Sequence, residues 1–364
     1  MPIYMDRHDV SKEVTAESVA RLHLEDLKVQ HEYNCRGLTY WFDDKRKIAF
    51  CLVEAPNTES VHKMHNHAHG EVPHSIIEVD ASLVESFLGR MEDPDAMLGA
   101  ELNVIDEPAF RFLLSVQITI GQLNNNNQEK DLASTIKDYL SKVNKVVNDM
   151  HGTVVRQDSR KLLISLTTAQ HAVLCGLVLS EKLGKIYSHL GMNIGLDAGL
   201  PVEGNKSIFE DVIQTSKRLC EIGRGFSVSP TVLKIYQDEQ PDTVINSIEI
   251  TKISLAEMIF LNKFFGFMET NFSHSELRID VLVTSLGHSR SQAYRNSVGL
   301  LGISLNAYFN KYRLERSLDK LNSGLNSISE TAYLCGFSSS SYYSKCFRKM
   351  YGVSPKEYMM AIHS

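Results

Sequence analysis

The last third of the chain repeats itself. Gly287-His288-Ser289, Tyr294, Gly302-Ile303-Ser304 and Tyr308 recur as Gly336-Phe337-Ser338, Tyr343, Gly352-Val353-Ser354 and Tyr358. The offset is 49 residues at the first glycine and 50 at the second, so two copies of one unit differ by a single-residue slip. A short helix pair cannot bury its apolar face alone, and duplication around a shared helix lets each copy cover the other. Each copy reads as helix, tight turn, helix. In the first, residues 279–286 lead to Gly287, and Ser289 caps a helix running to 298. In the second, Ser327 and Glu330 form a capping box, Gly336 is the turn, and a helix runs from about Ser339 to 351. Glycine suits both turns because it takes positive φ without a steric penalty. A longer helix over 304–322 joins the copies, with Leu305, Tyr308, Tyr312, Leu314 and Leu318 as its packing residues. Residues 256–364 are therefore expected to form an all-α double helix-turn-helix.

This grammar points to double-stranded DNA as the partner, because the second helix of such a unit can enter the major groove. The outward set of the first such helix is Ser291, Gln292, Tyr294 and Arg295, and Arg295 can pair bidentately with guanine. The matching set in the second is Ser340, Ser341, Ser344 and Lys345, with Arg348 and Lys349 as phosphate contacts. Charge agrees: residues 258–364 carry twelve Lys/Arg against seven Asp/Glu, whereas the first 95 residues carry ten against eighteen. The segment resembles the AraC/XylS family of regulators. Ala332, Gly336, Phe337, Ser338, Phe347, Gly352, Ser354 and Pro355 carry the likeness. The first copy departs from that pattern at Val283, where a small alanine is usual, and lacks a Ser/Thr cap before Ile279.

The front of the chain alternates differently. Strand 3–5, helix 15–33, strands 38–42 and 48–53, helix 58–68 and strand 75–79 follow in the order βαββαβ, the ferredoxin-like arrangement. Eight of the fourteen histidines lie in the first 74 residues. His65 and His69 stand four apart, one turn of a helix, as two ligands of one metal would. His8, just past the first strand, can approach the helix ends, and Cys51 and Glu54 are further candidates. We assign His8, His65 and His69 as metal ligands. Imidazoles suit a borderline divalent cation such as nickel, zinc, cobalt or copper. The competing reading is a polar helix end whose histidines face water. The segment is similar to a family of small ferredoxin-like domains that bind nickel. The likeness is carried by Met5-Asp6-Arg7-His8-Asp9, Tyr40-Trp41-Phe42, the run from Cys51 to Pro56, His65, His69-Gly70 and the run from Ile76 to Val79.

After a charged stretch with Pro94, Gly99 and Pro108, read as a linker over 91–109, the βαββαβ order returns over 110–240 with added elements. A helix is expected over 169–190. The segment resembles the class III nucleotide cyclase domain through His151-Gly152, the run from Asn193 to Gly199, and Arg218-Leu219. That likeness implies two metal-holding aspartates, yet their positions hold Gln117 or Thr119 and Arg160-Lys161. Asp158 substitutes only if the hairpin is shortened, and Gln214 replaces an asparagine. Basic groups cannot hold two cations against a triphosphate, so no catalytic residues are assigned and the chain is not expected to be an enzyme.

The expected fold class is multidomain α+β: two ferredoxin-like domains (1–90 and 110–240) followed by the double helix-turn-helix (256–364). The expected function is a transcriptional regulator answering a metal or small-molecule effector, with the middle domain kept for homodimerisation or ligand sensing. The alternative is a cyclase-like enzyme or nucleotide sensor fused to a DNA-binding domain. No run of about eighteen apolar residues occurs, and no signal peptide opens the chain, so a cytoplasmic protein without membrane contact is expected. The six cysteines lie scattered without a CxxC pair, as free thiols in a reducing compartment do.

Overall fold

The structure, a computed structural model, describes residues 1–95, 102–123, 132–183, 186–187, 189–240, 250–277 and 279–363. It opens with β1 (Ile3–Asp9), α1 (Ala16–Val29), β2 (Arg36–Asp43), β3 (Ile48–Glu54), α2 (Thr58–Ala68) and β4 (Ser75–Val79). The strands form one antiparallel sheet in the order β2-β3-β1-β4. Strand periodicity sorts the side chains of β1. Tyr4 packs with Val19 and Ala20 of α1 and Val61 and Met64 of α2, whereas Met5 enters a different cluster on the opposite face. Asp6 and His8 follow Tyr4 onto the helix-covered side, and this places β1 polar groups under α2.

The second unit comprises α3 (Ala81–Leu88), β5 (Arg111–Ile120), α4 (Leu132–Asp149), β6 (Thr153–Gln157), β7 (Lys161–Leu166), α5 (Ala169–Val178), β8 (Leu190–Gly199), α6 (Glu210–Glu221), β9 (Phe226–Val228), α7 (Pro230–Glu239) and β10 (Thr251–Lys252). Its sheet runs β10-β9-β8-β5-β7-β6. Without the two added strands the order is β6-β7-β5-β8, that of the first sheet. The helix expected over 169–190 is shorter: α5 ends at Val178, and one π-helical segment occupies Leu179–Leu183. Residues 184, 185 and 188 of that expectation lie outside the described residues. The chain has to turn back there, because Leu190 begins the strand that pairs with Ile120.

The two sheets share a core. Met5, Trp41, Phe50 and Leu52 pack with Val84 and Phe87 of α3 and with Leu113 and Leu163 of the second sheet. The first sheet is thus covered on both faces, which explains the near-continuous burial of β2 and β3. The stretch read as a linker is docked where it is described: Ile105 is buried, and Glu107 accepts a bond from the Phe42 N–H at 3.1 Å. Residues 96–101 of that linker lie outside the described residues.

The third unit is helical: α8 (Leu255–Asn271), α9 (Ile279–Ser285), α10 (Arg290–Leu301), α11 (Leu305–Asn322), α12 (Ile328–Leu334), α13 (Ser340–Tyr351) and α14 (Pro355–His363). Its two halves have separate cores. α8, α9, α10 and the start of α11 enclose one, whereas Leu314, Leu318, Phe337, Tyr343, Phe347 and Tyr351 continue the core of the middle unit. The free face of the second sheet is divided accordingly. Leu113 meets the first sheet, Ser115 bonds Ser216 on α6, and Gln117 bonds Glu315 on α11. Among the described residues no helix is long and apolar enough to cross a membrane, and all six cysteines are free.

Candidate metal centre and nucleic-acid interface

In the first unit, polar groups that would be costly to bury alone are buried together. His65, on the inner face of α2, is fully buried. Its Nε2 lies 2.9 Å from Asp6 Oδ2 on β1, and its Nδ1 lies 3.0 Å from Asp26 Oδ1 on α1. His69, the residue that ends α2, brings Nε2 to 3.2 Å from the same Asp26 oxygen. His8 lies inside β1 rather than beyond it, with Nε2 3.2 Å from Asp6 Oδ1 but not aligned to hydrogen-bond. Cys51, paired with Asp6 across the sheet, donates its backbone N–H to Asp6 at 3.0 Å.

Electrostatics follow from this packing. Burial disfavours the His65 cation, but the flanking Asp6 and Asp26 outweigh it and raise its pKa to about 10. Burial likewise opposes ionisation of Asp6, and the charges of His8 and His65 reverse that, holding its carboxyl well below the usual range. Asp26 is lowered in the same way, its burial outweighed by hydrogen bonds with His65 and His69. Burial pushes the Cys51 thiol up, and Asp6 adds to the effect.

Two overlapping donor groups result, each with ligand atoms within 4.8 Å of one another: Asp6, His8, Cys51 and His65, and Asp26, His65 and His69. His65 belongs to both. His8 and His69 therefore flank His65 rather than joining it in one group. The donor set fits a borderline divalent cation, since it offers imidazoles, a thiol and carboxylates at a site with a buried, unbonded His8 Nε2. Asp6 and Asp26 were missed in the sequence. The signal available was that each sits at an inward position of its element, where an unpaired carboxylate is rare. Glu54 is elsewhere, held by Arg36 and the N-terminal amine. His74 accepts from the Asp9 N–H at 3.1 Å, and His67 lies at the surface against Tyr33.

The helical unit presents its second helices as their sequence pattern requires. Ser289 caps α10 by accepting from the Gln292 N–H, and Ser339 caps α13 from the Tyr342 N–H. Ala293 and Ser297 are buried on α10, leaving Ser291, Gln292, Tyr294 and Arg295 exposed. On α13, Tyr343, Phe347 and Tyr351 point inward at four-residue spacing. Ser341, Lys345, Arg348 and Lys349 are exposed, and Ser340 and Ser344 are half-buried. Both turn glycines take the left-handed conformation, Gly287 at φ 68° and Gly336 at φ 78°. A side chain at Gly336 would place Cβ 2.3 Å from the Phe272 carbonyl oxygen, so this turn is also a close approach.

The middle unit buries a cation at its β6–β7 hairpin. Arg160, at the β6–β7 hairpin, is buried and reaches Asp319 on α11 at 3.0 Å; Lys161 pairs with the same carboxylate. Asp158 accepts from the Ser159 N–H in that turn.

Comparison with known proteins places the two ends of the chain. Residues 4–79 match the family model described as nickel responsive protein SCO4226-like. Residues 282–361 match the model described as a helix-turn-helix domain. The HTH-type transcriptional regulator GbdR of Pseudomonas aeruginosa is 30% identical over 143 residues, covering 38% of this chain and 37% of that protein. Histidine kinase P4 of Formosa agariphila is 30% identical over 110 residues, covering 30% of this chain and 8% of its own length. The chain thus spans well under half the length of either relative. The crystal structure of SCO4226 from Streptomyces coelicolor A3(2) aligns with a TM-score of 0.20 at 30% identity, covering 21% of this chain and 94% of that one.

Proposed function

We propose that this chain, SCO4226-like at its front and AraC-type helix-turn-helix at its end, is a sequence-specific DNA-binding transcriptional regulator whose front domain takes a divalent metal. The match of residues 282–361, together with two capped second helices exposing Arg295 and Lys345, carries this reading. Ser291, Gln292, Tyr294 and Arg295 read base edges from α10; Ser340, Ser341, Ser344 and Lys345 do so from α13. Arg348 and Lys349 neutralise phosphates. The repeated βαββαβ order supports reading both front units as ferredoxin-like, with boundaries near 90, 110 and 240. We read the middle unit as non-catalytic, because Arg160 and Lys161 occupy the hairpin and are held by Asp319.

The DNA reading is tested with the full chain on a fragment it selects from a random pool. Arg295→Ala is expected to cost about 1–3 kcal/mol at the selected site and to relax base preference there. Arg348→Ala is expected to weaken all sequences alike and to reduce the salt slope. Failure of the chain to select any DNA, or binding insensitive to salt, defeats the proposal.

For the metal, His65 with His8, Asp6 and Cys51 on one side, or with His69 and Asp26 on the other, would hold the cation. Nickel is the first expectation and zinc or cobalt the alternatives. A bound cation would supply a fixed positive charge where the chain now keeps a proton. His65 must release that proton to become a ligand, so affinity is expected to rise with pH through neutrality. Calorimetric titration of the full chain with nickel is expected to show stoichiometric uptake that His65→Ala with His69→Ala abolishes. Uptake unchanged in that double variant returns the cluster to a purely structural ion network.

A further inference from the structure

Between the middle unit and the helical unit lies a cavity of about 490 Å³, within the range of small-molecule sites. Its floor is the free face of β5 and β7, one wall is α6 with the β6–β7 hairpin, and the opposite wall is Phe272 beyond α8 and Tyr312 and Arg316 on α11. Four cations line it: Arg156, Lys161, Lys217 and Arg316. Its carboxylates are largely engaged. Glu221 pairs with Arg316, Glu269 with Arg218, and Asp158 with its own turn.

Arg156 and Lys217 differ from the other two cations, since neither is in an ion pair among the described residues. Lys217 is held below the usual lysine range by partial burial and by the charges of Arg156 and Lys161. Glu221 opposes that effect only in part, so the four cations outnumber the three carboxylates Asp158, Glu221 and Glu269 along the cavity wall. Glu221 lines the same cavity, and its second oxygen, Oε2, is buried without a hydrogen-bond partner. Unmet acceptors of this kind are unusual in a folded chain and call for a donor. Phe272 and Tyr312 line the cavity as a T-shaped aromatic pair, with the Arg316 guanidinium over the Tyr312 ring.

We infer that this cavity is an effector site for a small organic anion carrying a ring and a hydroxyl or amino donor, its anionic group held by Arg156 and Lys217. The ring lies against Phe272 and Tyr312, and the donor meets Glu221. A nucleoside phosphate and a hydroxylated aromatic carboxylate share this chemistry. The inference rests on the proposed regulator reading for its consequence: α11 joins the two helix-turn-helix copies, so a ligand against Tyr312 biases their relative placement. A ligand shifts such an equilibrium only through unequal affinity for the two arrangements.

The test uses the full chain with AMP, GTP and 4-hydroxybenzoate as separate titrants in calorimetry. Binding of at least one tighter than about 1 mM is expected, weakened about tenfold or more by Arg156→Ala with Lys217→Ala and retained by Lys217→Arg. Which titrant binds distinguishes the phosphate from the carboxylate source. The bound titrant is expected to change affinity for the selected DNA about fivefold or more in the wild type and not in the double variant. Absence of binding by all three, or binding unchanged in the double variant, overturns the site. DNA binding without any titrant judges the regulator reading separately, so a chain that binds DNA but no titrant fails here alone.

Discussion

Single residues in this protein are set by what surrounds them after folding, and Asp197 is the clearest case. It lies on β8, buried, and burial raises its carboxyl to about 6 despite hydrogen bonds from Ser229, the Ala198 N–H and Thr215. A raised carboxyl contributes stability below its unfolded value near 4, and that contribution is lost as pH rises through 6. At pH 7.5 the ionised form is a liability. Asp197→Asn is expected to stabilise the protein at pH 7.5 by about 1–3 kcal/mol, with the gain disappearing below pH 4. Thermal melts of both forms across that range check it, and a gain independent of pH would show that ionisation is not the cause. The histidines make the same point. The four-residue spacing of His65 and His69 was legible in the sequence. Their partners Asp6 and Asp26 come from different elements and no spacing connects them.

At the scale of elements, the two helix-turn-helix copies share a sequence pattern but not an environment. Gly287 and Gly336 both hold positive φ, so alanine at either pays a left-handed penalty of about 1–2 kcal/mol. Only the second turn is also crowded, by the Phe272 carbonyl and the Arg313 guanidinium. Gly336→Ala is therefore expected to cost about 2–4 kcal/mol, clearly more than Gly287→Ala, in denaturant titrations of the full chain. Equal losses would mean that Phe272 yields freely. The turns, caps and inward stripes of α10 and α13 were readable because they are local: a capping serine and a four-residue apolar stripe depend on a single helix. The end of α5 was not readable, because it is imposed by the pairing of Leu190 with Ile120.

The whole molecule is tied together by α11. Its Asp319 holds Arg160 and Lys161 of the middle unit, and its Glu315 bonds Gln117. Removing Asp319 leaves a buried guanidinium short of charge, which is costly. Asp319→Ala is expected to lower stability by about 1–3 kcal/mol, less than a fully buried pair because Asp319 is partly exposed. Adding Arg160→Met should cost much less than the two single losses combined, since both remove the same contact. Calorimetric melts of the cycle decide, and strict additivity would show the units to be energetically separate. The repeat, the helix-turn-helix grammar and the one-turn spacing of His65 and His69 followed from the sequence, because periodicity, caps and turns act over a few residues. The carboxylates around His65, the face-to-face sheets and the docking of α11 over the β6–β7 hairpin were decided by tertiary structure. They join side chains as many as 198 positions apart, as Gln117 and Glu315 are, and nothing local in a chain records which buried charge will find which partner.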